Sequence, residues 1–208
     1  MISGLYAITR ETDDTPTLLM QVEAALRGGA TVLQYRDKSG DVARQHEQAS
    51  ELRALCRAYA VPLIVNDHLR LADLVGADGL HLGRGDGSLR EARLVLGHDV
   101  MIGVSCYQSL ELALSAQDAG ADYVAFGRFF SSTTKPDAQQ APLSLLVAAS
   151  RRIHRPIVAI GGITPENASA LLDAGADAVA VVGALFDGVD TESVARRFVD
   201  LFVEETED

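Results

Sequence analysis

Three stretches of the chain repeat one pattern: VGADGLHLG at 75–83, AGADYVAFG at 119–127 and AGADAVAVVG at 174–183. In each, a glycine ends a helical segment where a positive φ is favoured, and Ala-Asp then leads into a short apolar strand. GGATVLQY at 28–35 is a looser copy. Because the same helix–glycine–strand unit recurs, the pattern predicts a parallel sheet whose strands are joined by helices.

Outside these stretches, short β-branched runs alternate with helical patterns along the whole chain. The predicted strands lie at 5–10, 32–37, 62–67, 79–83, 101–106, 123–129, 157–162 and 178–183. The predicted helices lie near 16–27, 41–59, 68–75, 88–96, 109–118, 142–151, 165–173 and 190–203. Eight such units predict an α/β fold, a single-domain (β/α)8 TIM barrel over 1–208; a doubly wound open sheet is the alternative.

Composition and charge exclude several classes of protein. A length of 208 residues with 48% hydrophobic residues fits one domain with a large core. The net charge of −11 argues against a nucleic-acid surface. No apolar run approaches the roughly 18 residues of a membrane span. The first residues lack the features of a secretory signal, so we expect a cytoplasmic protein with a frayed acidic end at 204–208.

A parallel barrel would place its active site where the strands end, so polar residues at predicted strand ends are the candidates. Two glycine-containing sites follow the last two predicted strands: Gly161-Gly162 and Val182-Gly183. Glycine lets backbone N–H groups approach an anion, and a helix N-terminus adds partial positive charge. Thr164 is the expected N-cap and Pro165 the expected first residue of the next helix. Together these features predict a phosphate site.

Two carboxylates, Asp67 and Asp86, follow neighbouring predicted strands. Mg²⁺ prefers one or two carboxylates together with water and substrate phosphate oxygens, so the pair is a candidate metal site. Two alternatives remain open on spacing alone: Asp67 caps the following helix, and Asp86 is an ordinary turn residue.

Gln34, Arg36 and Lys38 fall at every second position of one predicted strand and therefore share a face. Lys135, in the loop after the sixth predicted strand, would add a third cation, although alone it is equally well read as a solvated lysine. Partly buried cations need a partner, and an anionic ligand would supply one. His81 is expected to be a hydrogen-bonded residue of the barrel interior, not a catalytic base.

Seven motifs, taken in order, resemble the thiamine-phosphate synthase family. They are Gln34-x-Arg36-x-Lys38, Asn66-Asp67, GADGLHLG at 76–83, Gly103-Val104-Ser105, SSTTK at 131–135, AIGGIT at 159–164 and AVAVVG at 178–183. The family joins a hydroxymethylpyrimidine diphosphate to a thiazole phosphate, or to its carboxylated form, giving thiamine monophosphate and pyrophosphate. The resemblance therefore implies phosphorylated small molecules as substrates, with no nucleic acid and no membrane. A homo-oligomer is compatible with it.

The resemblance also assigns roles to individual residues. It implies that the pyrimidine diphosphate is held by Gln34, Tyr35, Arg36, Asp37, Lys38, Asn66, Ser105 and Lys135. Of these, it implies catalytic roles for Arg36, Lys38, Ser105 and Lys135. The implied contacts of the thiazole phosphate are Ser132, Thr133, Thr134, Gly162, Val182 and Gly183. Asp67 and Asp86 would hold one Mg²⁺ per chain.

Two segments depart from the family pattern. The family usually has Gly-Gln-x-Asp after the fourth strand, where this chain has Gly83-Arg84-Gly85-Asp86, so that Arg84 replaces an amide. The loop after the sixth strand often reads Pro-Thr-x-Thr-Lys, and Ser131-Ser132 stands here in place of Pro-Thr. A hydroxyl is retained at Ser132.

Three other functions compete with a synthase. A thiazole tautomerase-like paralogue would share the fold and phosphate loops without the diphosphate and Mg²⁺ residues. A non-catalytic protein that senses a phosphorylated ligand would bind without needing Lys135 or the two aspartates. A sugar-phosphate epimerase would depend on acids or histidines as proton carriers and would leave the cations unexplained.

Overall fold

Eight parallel strands pair in sequence order and close into a barrel in the computed structural model, which describes residues 2–131, 139–188 and 190–204. The strands are β1 (Gly4–Ile8), β2 (Val32–Tyr35), β3 (Leu63–Asn66), β4 (Gly79–Leu82), β5 (Met101–Tyr107), β6 (Tyr123–Gly127), β7 (Ile157–Ile160) and β8 (Ala178–Val181). Pairing of β1 with β8 closes the sheet. This closure confirms the (β/α)8 barrel and excludes the open doubly wound sheet.

A helical layer surrounds the barrel. The helices in the described ranges are α1 (Thr15–Arg27), α2 (Val42–Ala58), α3 (Leu69–Val75), α4 (Leu89–Leu96), α5 (Leu110–Asp118), α6 (Leu143–Ser150), α7 (Ser169–Asp173), α8 (Gly183–Phe186) and α9 (Thr191–Glu204). None of the helices in these ranges has the length and apolar character needed to cross a membrane.

Most predicted elements differ from the observed ones by one to a few residues at their ends, and two of the differences change the interpretation of the loops. The predicted helix at 165–173 begins only at Ser169, because residues 164–167 form a turn in which the Asn167 side chain accepts the Thr164 N–H at 2.9 Å. Thr164 therefore does not cap α7, whose N-cap is Ala168. The last strand ends at Val181, and the residues from Gly183 form the one-turn helix α8.

Alternating residues of each strand face opposite sides of the barrel wall, as the pleat of a strand requires. Val32, Ile64 and Val158 pack in one buried cluster that fills the barrel, whereas Leu33 and Leu63 pack in a second cluster with residues of the helices. This alternation fixes which polar residues of the strands face the barrel interior.

The aspartates of the repeated pattern close the amino-terminal end of the barrel. The carboxylate of each accepts the backbone N–H of the first or second residue of the preceding strand: Asp78 from Leu63 at 2.8 Å, Asp122 from Ile102 at 2.7 Å and Asp177 from Ile157 at 2.7 Å. Asp78 also accepts from Arg53 of α2 at 2.7 Å, and Asp122 pairs with Arg93 of α4. The preceding glycines have positive φ, as predicted, at Gly76, Gly120 and Gly175.

Candidate active site

The side chains of β2 lead from the barrel interior to its carboxyl-terminal mouth. Gln34 is buried and donates through Nε2 to the Tyr6 hydroxyl at 2.8 Å. Two residues on, the backbone N–H of Arg36 donates to Thr9 Oγ1 at 2.9 Å, which fixes it beside the end of β1. The Arg36 side chain is half-buried and makes no hydrogen bond or ion pair within the described ranges. Arg36 therefore has no counter-charge from the described residues.

Lys38 differs from Arg36, because it forms an ion pair with Asp67 at the end of β3. Lys38 therefore has a partner within the protein, contrary to the expectation that an anionic ligand supplies the partner of each cation. The Lys38 side chain is about half exposed, whereas the Asp67 side chain is largely buried. The contact joins the loop after β2 to the loop after β3.

Asp67 has a left-handed backbone, with a φ of 63°, and its carboxylate accepts from Asn66 Nδ2 at 2.6 Å. It is not the N-cap of α3, a position taken by His68. The alternative in which Asp67 serves as a helix cap is thus excluded. Its carboxylate is held in the mouth by neighbouring polar side chains.

Asp86 folds back over the loop after β4 and meets Asp67. Its carboxylate accepts the Gly83 N–H at 3.0 Å, and a Cβ on Gly83 would lie 2.6 Å from that carboxylate oxygen, so glycine leaves the room for it. Burial raises the pKa of Asp86, and the hydrogen bond with Asp67 and its charge raise it further. Burial alone would also raise the pKa of Asp67, but hydrogen bonds from Lys38 and Asp86 bring it below its usual value.

The pKa of Asp67 is thus lowered and that of Asp86 raised. Two neighbouring carboxylates of this kind share a proton or need a cation, since like charges so close together do not both ionise freely. Their oxygens are the hard ligands that Mg²⁺ prefers. Among the described residues, no group of three or more acidic, histidine or cysteine side chains is arranged to hold a metal. A Mg²⁺ ion at Asp67 and Asp86 would therefore complete its coordination with water and substrate oxygens, and the donor set fits that ion.

Ser105 and His81 meet on the inner face of β5 and β4. Ser105 Oγ lies 2.8 Å from His81 Nε2, and His81 Nδ1 lies 3.0 Å from the Tyr123 hydroxyl. His81 is buried, so the prediction that it is a hydrogen-bonded residue of the barrel interior is confirmed. A Cβ on Gly103 would come within 1.9 Å of the Tyr123 ring, and this glycine therefore makes room for the tyrosine.

Two residues predicted to contact substrate have side chains on the opposite side of β2. The Tyr35 hydroxyl donates to Gln48 Oε1 of α2 at 2.9 Å. Asp37 is buried and accepts the Ser39 N–H at 2.7 Å, with Arg44 of α2 3.5 Å away. The structure thus does not bring the side chains of Tyr35 and Asp37 to the mouth. They anchor the loop after β2 onto α2.

The predicted phosphate loops lie side by side, because β7 pairs with β8. Gly162 has a φ of 66°, and a Cβ there would lie 2.2 Å from the Ser131 carbonyl oxygen. Asn167 Nδ2 donates to the Gly162 carbonyl at 3.1 Å and holds this loop. Val182 precedes α8 as its N-cap, and Gly183 is the first residue of that helix. A Cβ at Gly162 would thus meet backbone, whereas a Cβ at Gly183 would lie 3.0 Å from an Asp187 carboxylate oxygen.

Four predicted residues, Ser132, Thr133, Thr134 and Lys135, lie outside the described residues. Their assignments to the two substrates therefore stay predictions.

Several residues at the mouth were not among the predicted contacts, although Arg84 was noted as a departure from the family pattern. Arg10 after β1 pairs with Asp187 after α8, beside Gly183. Arg84 places its guanidinium 4.8 Å from the centre of the Tyr107 ring, and its backbone N–H donates to the Tyr107 hydroxyl at 2.8 Å. Tyr6 and Tyr123 could have been noticed in the sequence because each is a polar aromatic residue within an otherwise apolar predicted strand, and both pack inside the barrel.

Comparison with known proteins gives one consistent result. Residues 5–185 match the family model described as thiamine monophosphate synthase. The thiamine-phosphate synthase of Thiobacillus denitrificans is 62% identical over 99% of this chain and 97% of its own. That of Nitrosospira multiformis is 53% identical over 97% of this chain and 86% of its own. The solved thiamine phosphate pyrophosphorylase from Pyrococcus furiosus superposes with a TM-score of 0.87 at 33% identity, covering 99% of this chain and 97% of that one.

Proposed function

The chain belongs to the thiamine monophosphate synthase family, and we propose that its barrel mouth performs that family's condensation with the help of Mg²⁺. The substrates are 4-amino-2-methyl-5-hydroxymethylpyrimidine diphosphate and 4-methyl-5-(2-phosphoethyl)thiazole, or its carboxylated form. The products are thiamine monophosphate and pyrophosphate, together with CO₂ when the thiazole is carboxylated. One C–O bond to the diphosphate breaks, and one C–N bond to the thiazole nitrogen forms. With the carboxylated thiazole, the C–C bond to the carboxyl group also breaks and CO₂ leaves.

The chemistry needs charge stabilisation more than proton transfer. The diphosphate leaves from a CH₂ group on an electron-rich aminopyrimidine, so a dissociative path through a pyrimidine cation is favoured, and the thiazole nitrogen then attacks. Such a step depends on neutralising the leaving group and on placing the second substrate. Cations and backbone N–H groups serve these purposes, and no catalytic base is required.

The observation that carries the proposal is the state of Arg36. Arg36 is half-buried and its guanidinium meets no acid within the described ranges, although the residue follows β2 at the mouth of an acidic protein. A planar guanidinium binds two phosphate oxygens at once. A diphosphate that arrives with the substrate would supply the missing counter-charge, with Lys38 and Lys135 as further cations and Gln34, Asn66 and Ser105 as polar contacts.

Asp67 and Asp86 would hold one Mg²⁺ per chain. When bound, the ion would neutralise charge on the departing diphosphate. Lys38 already neutralises part of the charge on Asp67. In this proposal the Lys38 ammonium would contact both the metal ligand and the diphosphate.

The thiazole phosphate would lie against Gly162, Val182 and Gly183, with Ser132, Thr133 and Thr134 completing its contacts. The loops after the last two strands are the recurrent phosphate site of such barrels. The exposed pair of Arg10 and Asp187 lies at the edge of this region.

The alternatives are less well supported. Relatives at 62% and 53% identity over nearly the whole chain are named as synthases. A tautomerase-like protein or a ligand sensor would leave the touching pair of Asp67 and Asp86 without a purpose. Cytoplasmic location and a homo-oligomeric state remain expectations from the sequence.

The test is product formation by the purified full chain with both substrates, in Mg²⁺ and after the metal is removed with EDTA. We expect thiamine monophosphate and pyrophosphate in equal amounts, and only with Mg²⁺. Asp86→Asn should raise the Mg²⁺ concentration needed for half-maximal rate, whereas Asp99→Asn, at an exposed turn, should not. Absence of product with folded protein would overturn the proposed reaction, and full activity without metal would overturn the role of Mg²⁺.

A further inference from the structure

Five buried or half-buried side chains form a continuous line of hydrogen bonds across the barrel interior, here called the interior chain. Its members, in order, are Gln34, Tyr6, Tyr123, His81 and Ser105. The successive distances are 2.8, 2.8, 3.0 and 2.8 Å. Both ends are residues assigned to the pyrimidine diphosphate, whereas the three central residues have no role in the chemistry described so far.

The Gln34 amide, which donates to Tyr6, gives the hydrogen bonds of the interior chain a direction. Both are essentially inaccessible to solvent, and burial raises the pKa of each, so both hydroxyls keep their single proton. Tyr6 accepts from the Gln34 amide and has Tyr123 as its other partner among the described residues. If Tyr6 also accepted from Tyr123, its own proton would be buried without an acceptor, which is strongly unfavourable. Tyr6 therefore donates to Tyr123.

The donor and acceptor roles of the remaining members of the interior chain follow in the same way. Tyr123 has accepted from Tyr6, so its proton goes to its other partner, His81 Nδ1. An imidazole that accepts at Nδ1 carries its proton on Nε2. His81 Nε2–H then donates to Ser105 Oγ. The Ser105 hydroxyl is left with its own proton free to donate into the mouth.

We propose that Tyr6, Tyr123 and His81 are positioning residues that make the Ser105 hydroxyl a hydrogen-bond donor toward the pyrimidine substrate. The inference rests on the proposed function for the identity of that substrate. An aminopyrimidine offers ring nitrogens as acceptors, and an oriented donor selects a ring with an acceptor at the matching position over one with C–H there. A ring with C–H at that position would leave the Ser105 donor unpaired, and the site would therefore discriminate strongly against it.

The most direct test needs no turnover. Histidine labelled with ¹⁵N reports by NMR which ring nitrogen carries the proton, and the His81 signal is identified by its loss in His81→Gln. We expect the Nε2–H form for His81 in the wild-type protein at neutral pH. In Tyr123→Phe, which keeps the ring beside Gly103, the preference should be lost, whereas Tyr59→Phe on the outer helical layer should leave it unchanged. An Nδ1–H or doubly protonated His81 in the wild-type protein would overturn the inference.

Kinetics give a second, independent readout. Tyr123→Phe should lower kcat/KM for the pyrimidine diphosphate about tenfold, with the KM for the thiazole phosphate unchanged. Ser105→Ala should cause a similar loss, and the double variant should be little worse than either single variant, because both act through one hydroxyl. Multiplicative losses would show that Tyr123 acts only on packing and would overturn the positioning role. A wild-type protein that makes thiamine monophosphate while failing either test retains its function and loses this inference.

Discussion

At the amino-terminal end of the barrel, Asp78 accepts from a backbone N–H and from Arg53, so its charge is fully engaged by the protein. At the carboxyl-terminal end, Arg36 has its backbone fixed by Thr9 and its guanidinium without a partner in the described ranges. Each residue lies next to a strand of the barrel, Asp78 just before β4 and Arg36 just after β2. They differ in whether the fold itself supplies the opposite charge.

The difference separates stability from function. Partly buried charges that are paired within the fold, such as Arg53 and Asp78, contribute to the free energy of unfolding. An unpaired cation at the mouth instead contributes binding energy when an anion arrives. Substitutions at the two ends should therefore affect different measurements.

Arg36→Ala should have the largest effect. We expect kcat/KM to fall about 100-fold or more, since a charge-assisted contact to the diphosphate is removed. The urea midpoint should stay close to that of the wild type, because the Arg36 side chain makes no hydrogen bond or ion pair with a described residue. Arg27→Gln, in the outer helical layer, is the matched control for loss of a positive charge. A large fall in stability with Arg36→Ala would remove the distinction between the two ends.

Asp78→Asn should show the converse. Removing the carboxylate weakens the hydrogen bonds to Leu63 and Arg53, and we expect the free energy of unfolding to drop by about 1–2 kcal/mol. Urea unfolding measures it, and kcat/KM at a temperature where the variant is folded should match the wild type. Arg53→Met combined with Asp78→Asn should be less destabilising than the two single losses added together. Additive losses would mean that the pair does not act as a unit.

Gly162→Ala sharpens the comparison within the mouth itself. Its Cβ would lie 2.2 Å from the Ser131 carbonyl oxygen, so the loop after β7 must shift. We expect the KM for the thiazole phosphate to rise about tenfold, with a much smaller change for the pyrimidine diphosphate. Gly97→Ala is the control, because it also has a positive φ but no atom within 4 Å of the added Cβ. Equal changes for both substrates would argue against a separate thiazole phosphate loop.

Glu192→Gln should have the smallest effect. Glu192 pairs with Arg27 at 2.9 Å and with Arg196 on the exposed outer layer, and such pairs contribute little in water. Neither the urea midpoint nor kcat/KM should change measurably. A clear loss of stability would show that charge pairs outside the barrel ends also matter to this fold.

The fold was predictable because its signals are local. In VGADGLHLG, Gly76 ends a helix and Ala77-Asp78 leads directly into the next strand, and three copies of this local signal predict one repeated unit. The bond from Leu63 to the Asp78 carboxylate is not local and was not predicted. The late start of α7 was not predictable, because Asn167 turns back onto Thr164 and delays the helix.

The site was predictable only in part. Strand ends identified Asp67 and Asp86 as neighbours, but the pairing of Lys38 with Asp67 depends on two loops from different strands. The contact between Tyr6 and Tyr123 joins residues 117 positions apart, and no local pattern encodes it. The alternation of side chains along a strand predicts that Tyr35 lies on the opposite face from Gln34. The family resemblance nevertheless assigned both residues to substrate.

The most direct test of the central claim is the binding of inorganic pyrophosphate in the presence of Mg²⁺, measured by titration calorimetry on the wild type, Arg36→Ala and Asp78→Asn. We predict that Arg36→Ala weakens the affinity for pyrophosphate about tenfold or more, while Asp78→Asn binds like the wild type despite its lower stability. Equal affinities for the wild type and Arg36→Ala would contradict the claim that the charge left open at the mouth is completed by the diphosphate.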